Sequence, residues 1–277
     1  QLAKVQEARA NLPDVRKVIM IEGEGDGDFA LSWSDLRALG REKLAENANL
    51  IEETVNSTGP DGLATLIYTS GTAGGPTGVE LTHGHWTYEG AAMDALGIIS
   101  IDDVQFLWLP LAHSFGKVLT CAQLQVGFMS AVDGRVPEII NNLPVVQPTI
   151  MAGVPRIYEK IYAGVNAQFE GGGAKAKIAD WAFRIGKQAA AKRNAGEPVT
   201  GALAMQANLA EKLVFSKIKV RMGGRIRFFI SGSAALNRDI AEWFDAAGLP
   251  VLEGYGLTET SAATCVVRPS AIAYGLV

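Results

Sequence analysis

Short apolar runs alternate with longer amphipathic stretches along this chain, which predicts an α/β fold with mainly parallel sheets flanked by helices. Residues 2–10 read as a helix and residues 15–22 as a strand. Ser34 reads as the cap of a helix running to about Glu46. The apolar run 63–68 predicts a strand, followed by a loop of glycine, threonine and serine. Helices are expected over 84–97 and 114–127, with a strand over 104–109 between them that ends at Pro110. Further strands are expected over 129–132, 149–152, 226–231 and 251–253. A long helical region, 155–220, is broken at Gly171-Gly172-Gly173 and at Gly196-Glu197-Pro198.

Composition narrows the partners. The chain is 277 residues long, 48% hydrophobic and 19% charged, enough apolar material for a sizeable core. With 25 basic against 29 acidic residues its formal charge is −4, so the positive field that nucleic acid requires is missing and nucleic acid is not an expected partner. Cys121 and Cys265 lie far apart and outside any CxxC pair, which argues against a disulfide framework or a zinc site and for a reducing, cytosolic setting. His83 and His85 form an H-x-H pair with no further ligands near them, and read as solvated loop residues. No apolar run reaches the roughly 18 residues of a membrane span. The sequence starts at Gln1 inside a predicted helix and stops at Val277 without an evident terminal element, so it reads as part of a longer protein.

The candidate chemistry begins in the loop after the 63–68 strand, Tyr68-Thr69-Ser70-Gly71-Thr72-Ala73-Gly74-Gly75-Pro76-Thr77-Gly78. Glycines let the backbone approach a ligand and expose its N–H groups, and the hydroxyls of Thr69, Ser70 and Thr72 add donors. Together they form the kind of cradle that phosphate oxygens use. Neither the Walker pattern nor GxGxxG fits, because Pro76 stands where the Walker pattern needs glycine. A plain surface turn has the same composition. Downstream come Leu109-Pro110-Leu111-Ala112-His113-Ser114-Phe115, Gly153-Val154-Pro155-Arg156-Ile157-Tyr158-Glu159-Lys160-Ile161, Ile230-Ser231-Gly232-Ser233-Ala234-Ala235-Leu236 and Glu253-Gly254-Tyr255-Gly256-Leu257-Thr258-Glu259-Thr260, each at the end of a predicted strand. Taken singly, His113 reads as a helix-start histidine. Ile157, Tyr158 and Ile161 read as core positions, and the 230–236 segment as a strand-to-helix turn capped by Asn237.

In this order the segments resemble the adenylate-forming superfamily, which includes acyl-CoA synthetases, luciferases and peptide-synthetase adenylation domains. The LPLAH and VPR segments resemble its long-chain fatty-acid–CoA ligase subgroup in particular. The resemblance implies the fold of the large N-terminal AMP-binding domain over residues 1–277, with the small C-terminal domain and its catalytic lysine absent from this stretch. It implies ATP-dependent activation of a long-chain fatty acid to acyl-AMP and then acyl-CoA, with ATP/AMP, Mg²⁺ and CoA as cofactors or co-substrates. By the same resemblance Thr69, Ser70, Gly71, Thr72 and Gly74 hold phosphate. Gly232, Ser233, Ala234, Glu253, Gly254, Tyr255 and Gly256 surround the adenine, with Tyr255 stacking on it. Thr258 donates to the α-phosphate, and Glu259 with Thr72 serves the metal. His113 meets the carboxylate, so His113, Thr258 and Glu259 form the implied catalytic set. Gly153 is expected to leave room for an acyl chain. A cytoplasmic location is implied, with peripheral membrane contact open to a lipid-handling enzyme, and the oligomeric state is not readable. One departure stands out: the family's lysine before the last loop glycine is Thr77 here, and Gly75 stands where a basic residue is frequent. That loss of charge-assisted bonds to phosphate keeps two alternatives open, an inactive nucleotide- or acyl-binding paralogue and a fatty acyl-AMP ligase.

Overall fold

A computed structural model describes residues 2–70, 75–169 and 171–275. It divides into two compact units, Gln1–Gly59 and Pro60–Val277. The first unit holds α1 (Leu2–Ala8), β1 (Val18–Met20), β2 (Ala30–Ser32), α2 (Trp33–Glu46) and α3 (Leu50–Ser57). β1 and β2 pair in parallel, Val18 opposite Ala30. Between them the Asp26 carboxylate accepts from the backbone N–H groups of Ala30 at 2.8 Å and Asp28 at 2.9 Å, and these bonds hold it below the usual carboxylate range. The cap of α2 is Ser32, not the expected Ser34. Ser32 Oγ accepts from Asp35 N while the Asp35 carboxylate accepts from Ser32 N, a reciprocal box that Ser34 cannot make because no acidic residue stands three positions after it.

The second unit holds β3 (Leu63–Thr69), β4 (Thr77–Thr82), α4 (His83–Ala95), β5 (Val104–Leu107), α5 (Ser114–Val126), β6 (Met129–Val132), α6 (Ile139–Val146), β7 (Ile150–Gly153), α7 (Pro155–Asn166), α8 (Gly173–Asn194), α9 (Gly201–Ala210), α10 (Ser216–Arg221), β8 (Phe228–Ser231), α11 (Arg238–Ala246), β9 (Val251–Tyr255) and β10 (Cys265–Val266). A π-helical turn, Glu211–Phe215, joins α9 to α10. The main sheet runs β10-β9-β8-β7-β5-β6, parallel throughout except for the edge strand β10. β3 and β4 form a separate antiparallel hairpin. The sequence pattern missed β4, whose turn-like composition (Thr77, Gly78) hides its pairing with β3. It also placed His83 and His85 in a loop, whereas both lie in the first turn of α4. There His85 Nδ1 accepts from Thr82 N at 3.0 Å.

Period-two alternation sorts the sheet's side chains onto two faces. Ile150, Phe228 and Leu252 pack with Ala122 of α5 and with Phe128. Met151, Phe229 and Val251 join the larger cluster with Tyr158 of α7 and Phe244 of α11. There Tyr158 meets Phe229 and Phe244 edge-on at 5.5 and 5.8 Å between centroids, an arrangement that favours aromatic pairs. Its hydroxyl donates to Ile230 O at 2.8 Å. At the N-terminal ends of the strands, Asp103 is nearly fully buried and takes bonds from Arg227 Nη1 at 2.6 Å and Thr149 Oγ1 at 2.6 Å. Burial pushes its carboxyl up, but the bonds from Arg227, Thr149 and Ser100 N outweigh that and hold it below its ordinary value.

Candidate functional site

In a parallel sheet the side chains and turns at the C-terminal strand ends face one rim, where ligands of open α/β folds usually sit. On that rim, beside the β3–β4 hairpin, lies a cavity of about 880 Å³. Its polar end is built from turns. After β8 come Gly232 and Ser233, the latter held at φ 68, a left-handed conformation that a non-glycine residue adopts only when its surroundings impose it. β9 ends in Gly254 and Tyr255, and after it come Gly256 and the short 3₁₀ turn Thr258–Thr260. Ser261 and Ala262 follow at φ 62 and 93. Ala262 O comes so close to Gly256 that a Cβ on Gly256 would overlap it, which explains the glycine.

The turn after β5 supplies His113 and Ser114. His113 caps α5, its Nδ1 accepting from Phe115 N at 3.1 Å. In the neutral ring the proton then sits on Nε2, which keeps its donor capacity. The buried Ser114 places its Oγ 3.3 Å from Thr258 Oγ1, tying the β5 turn to the β9 turn. The helix-start reading of His113 therefore holds, and the residue also lines the cavity.

Of the residues singled out in the sequence, Thr69, Ser70, His113, Gly232, Ser233, Gly254, Tyr255, Gly256, Thr258 and Glu259 line this one cavity. Gly71, Thr72 and Gly74 lie outside the described residues. Ala234 and Glu253 are not on the wall. Glu253 is buried and its carboxylate accepts from Gly275 N at 2.8 Å and Leu236 N at 3.4 Å, so it braces the turn after β8 instead of facing a ligand. Gly153 also departs from expectation. A Cβ there would meet Ile157 Cγ2 at 2.8 Å and Trp108 Cζ2 at 3.2 Å, so its space is filled by core side chains, not by the cavity. Ile157, Tyr158 and Ile161 are core, as their spacing predicts.

The other end of the cavity was not foreseen. It is lined by one stripe of α4 and its C-cap, Glu89, Ala92, Met93 and Leu96, and by Val118 and Leu119 of α5, with Phe115 between the two ends against Gly232. Gly90 lets the two helices close on each other, since a Cβ there would stand 3.1 Å from Cys121 O. The stripe follows i, i+3, i+4, i+7 spacing, which the sequence does show. Glu89 is its one ionisable member. It is buried, no donor among the described residues bonds its carboxyl, and desolvation alone pushes it up to about 7.

Comparison with known proteins fits this architecture. The family model described as AMP-binding enzyme matches residues 1–275. The chain belongs to the AMP-binding enzyme family. Among curated members, it is 33% identical over 265 residues to the peroxisomal long chain acyl-CoA synthetase 6 of Arabidopsis thaliana, covering 93% of this chain and 36% of that protein. It is 37% identical over 239 residues to fatty acyl-CoA synthetase A of Dictyostelium discoideum, covering 82% of this chain and 33% of that one. The chain thus spans about a third of the length of these relatives. Among solved structures, o-succinylbenzoate coenzyme A synthetase of Bacillus subtilis in complex with AMP superposes with a TM-score of 0.51 at 19% identity, over 79% of this chain and 35% of that one, a likeness of fold. Among the described residues no helix is long and apolar enough to cross a membrane. No group of three or more His, Cys, Asp or Glu side chains among them is arranged to hold a metal ion.

Proposed function

We propose that this chain is the nucleotide- and acyl-binding part of an AMP-forming fatty-acid–CoA ligase. The observation that carries the reading is a single cavity with two unlike ends: strand-end turns with exposed donors on one side, an apolar helical channel on the other. Family members named for fatty-acid substrates, at 33–37% identity, support the choice of acid.

In this reading ATP lies along the turns. Tyr255, half exposed at the rim, offers a ring face to the adenine. Thr69 and Ser70 offer hydroxyls to the phosphates, with Gly71, Thr72 and Gly74 of the same loop. The Thr258 hydroxyl donates to the α-phosphate, and the neighbouring Ser114 hydroxyl restricts its orientation. His113 Nε2–H donates to the carboxylate of the acid, holding one of its oxygens toward the α-phosphorus. The fatty chain extends along the wall that α4 and α5 form together. Positioning and charge stabilisation then carry the displacement of pyrophosphate. Mg²⁺ would be held by Glu259 together with phosphate oxygens, a donor set that suits an ion bound mostly by water and substrate, and it would neutralise the developing charge. CoA is the thiol acceptor of the second step.

The test is ATP–pyrophosphate exchange by the complete protein with saturated fatty acids of graded length. Exchange that depends on the acid, followed by thioester formation with CoA, is the expected result. Thr77 and Gly75 favour a second reading, a non-catalytic binder of nucleotide or acyl groups, and absence of exchange with every acid would select it. Accumulation of acyl-AMP without thioester would instead identify a fatty acyl-AMP ligase.

A further inference from the structure

We propose that Glu89 makes the acyl channel selective for a carboxylic acid whose chain carries a hydroxyl group, in preference to a plain saturated chain. The inference rests on the fatty-acid reading above. Glu89, Ala92, Met93 and Leu96 form one stripe of α4 and its C-cap along the cavity. From Glu89 to Leu96 a helix rises about 10 Å, so the stripe underlies a considerable length of chain. Every other member of the stripe is apolar.

Glu89 is 3% exposed and on the cavity wall, its carboxyl is not among the fully buried atoms sealed from the cavity, and none of the described residues donates to it. A buried polar group without a partner is uncommon, and where it faces a cavity a ligand is the natural source of that partner. Packing methylenes against it would leave it unpaired. A hydroxyl would satisfy it in either protonation state, by accepting from the acid or donating to the carboxylate. With burial pushing the group up to about 7, both states are present near neutral pH. A cationic chain fits less well, since an ammonium would lose its hydration in a channel with no second polar group on the stripe.

The experiment compares the complete protein with its Glu89→Leu and Glu89→Gln variants. The substrates are straight-chain acids and monohydroxy acids of the same length, with the hydroxyl at several positions. Both exchange rates and displacement of a fluorescent fatty acid are read. The wild type is expected to favour one hydroxyl position over the plain acid by on the order of tenfold. Glu89→Gln should keep that preference, and Glu89→Leu should lose or reverse it. If the wild type shows no preference at any position, or Glu89→Leu leaves the ratio unchanged while fatty acids are still bound and activated, this inference is overturned and the ligase reading stands. If no acid is bound or activated by any variant, both are overturned.

Discussion

The two ends of the cavity are made of different material. The polar end is backbone: turns at the tips of β8 and β9, with Ser233, Ser261 and Ala262 in left-handed conformations and Gly256 pressed against Ala262 O. The channel end is side chain: stripes of two helices whose identities can change without altering the helices themselves. A site of the first kind can be retained only by retaining particular residues at particular places, because few residues tolerate those dihedrals and approaches. A site of the second kind constrains size and polarity, not sequence. The nucleotide end should therefore be brittle toward substitution and the acyl end tunable.

The sharpest test of brittleness is Gly256→Ala. The added methyl would coincide with Ala262 O, so the turn carrying Tyr255, Thr258 and Glu259 must open. In the wild type, AMP should raise the melting temperature through binding to the folded state. The variant should lose that nucleotide-dependent rise altogether. A variant that keeps it would show the turn to be as adaptable as the channel, and the contrast would fail.

Next in size is a change far from the rim. Arg227 closes the N-terminal ends of the strands by pairing with Asp103, which is 2% exposed, at 2.6 Å. Removing Arg227 leaves the Asp103 charge with neutral donors alone, Thr149 Oγ1 and Ser100 N. Because the Arg227 side chain is itself half exposed and those two donors remain, Arg227→Ala should cost about 1.5 to 3 kcal/mol of stability at pH 7, read from denaturant unfolding. The Asp103 carboxyl is held low in the fold, so its contribution is present above its unfolded value and is lost as pH falls through its lower folded value. The penalty of the variant should accordingly shrink in acid. AMP affinity of the folded fraction should change little, since neither side chain reaches the cavity.

The same division explains what the sequence disclosed. The α/β class, most strands of the main sheet and the segments at their ends were legible because turns at strand ends require glycine and small polar residues at fixed places, and those residues can be seen one by one, whereas the order of the strands in the sheet and the helices α3 and α6 were not. Glu253 lies within such a motif, whose resemblance implies a ligand contact. Its carboxylate turns to Gly275 N and Leu236 N, a long-range closure that no local pattern announces. β4 was hidden because its pairing with β3 outweighs the weak strand propensity of Thr77-Gly78. The channel escaped notice for the opposite reason. The spacing of Glu89, Met93 and Leu96 is what any amphipathic helix shows, and only α5 laid across α4 turns it into a wall.

The tunable end has a signature of its own in the pH dependence of stability. Desolvation pushes the Glu89 carboxyl from 4.5 to about 7. The titratable neighbours on α5 are Lys117, whose ammonium lies 5.3 Å from the Trp86 ring centroid, and Cys121, whose thiol is pushed up mainly by burial. Neither bonds Glu89. For an acid raised on folding, the folded chain holds its proton more tightly than the unfolded one. Stability is then complete below the unfolded value of 4.5 and declines as pH rises toward 7. Glu89→Gln has no charge to bury. It should match the wild type below pH 4.5 and exceed it at pH 8 by up to about 3 kcal/mol, the equivalent of the shift. Unfolding midpoints at the two pH values measure the difference. Equal stabilities at both would mean that Glu89 finds a partner in solution, and the channel would then be as fully satisfied, and as constrained, as the turns opposite it.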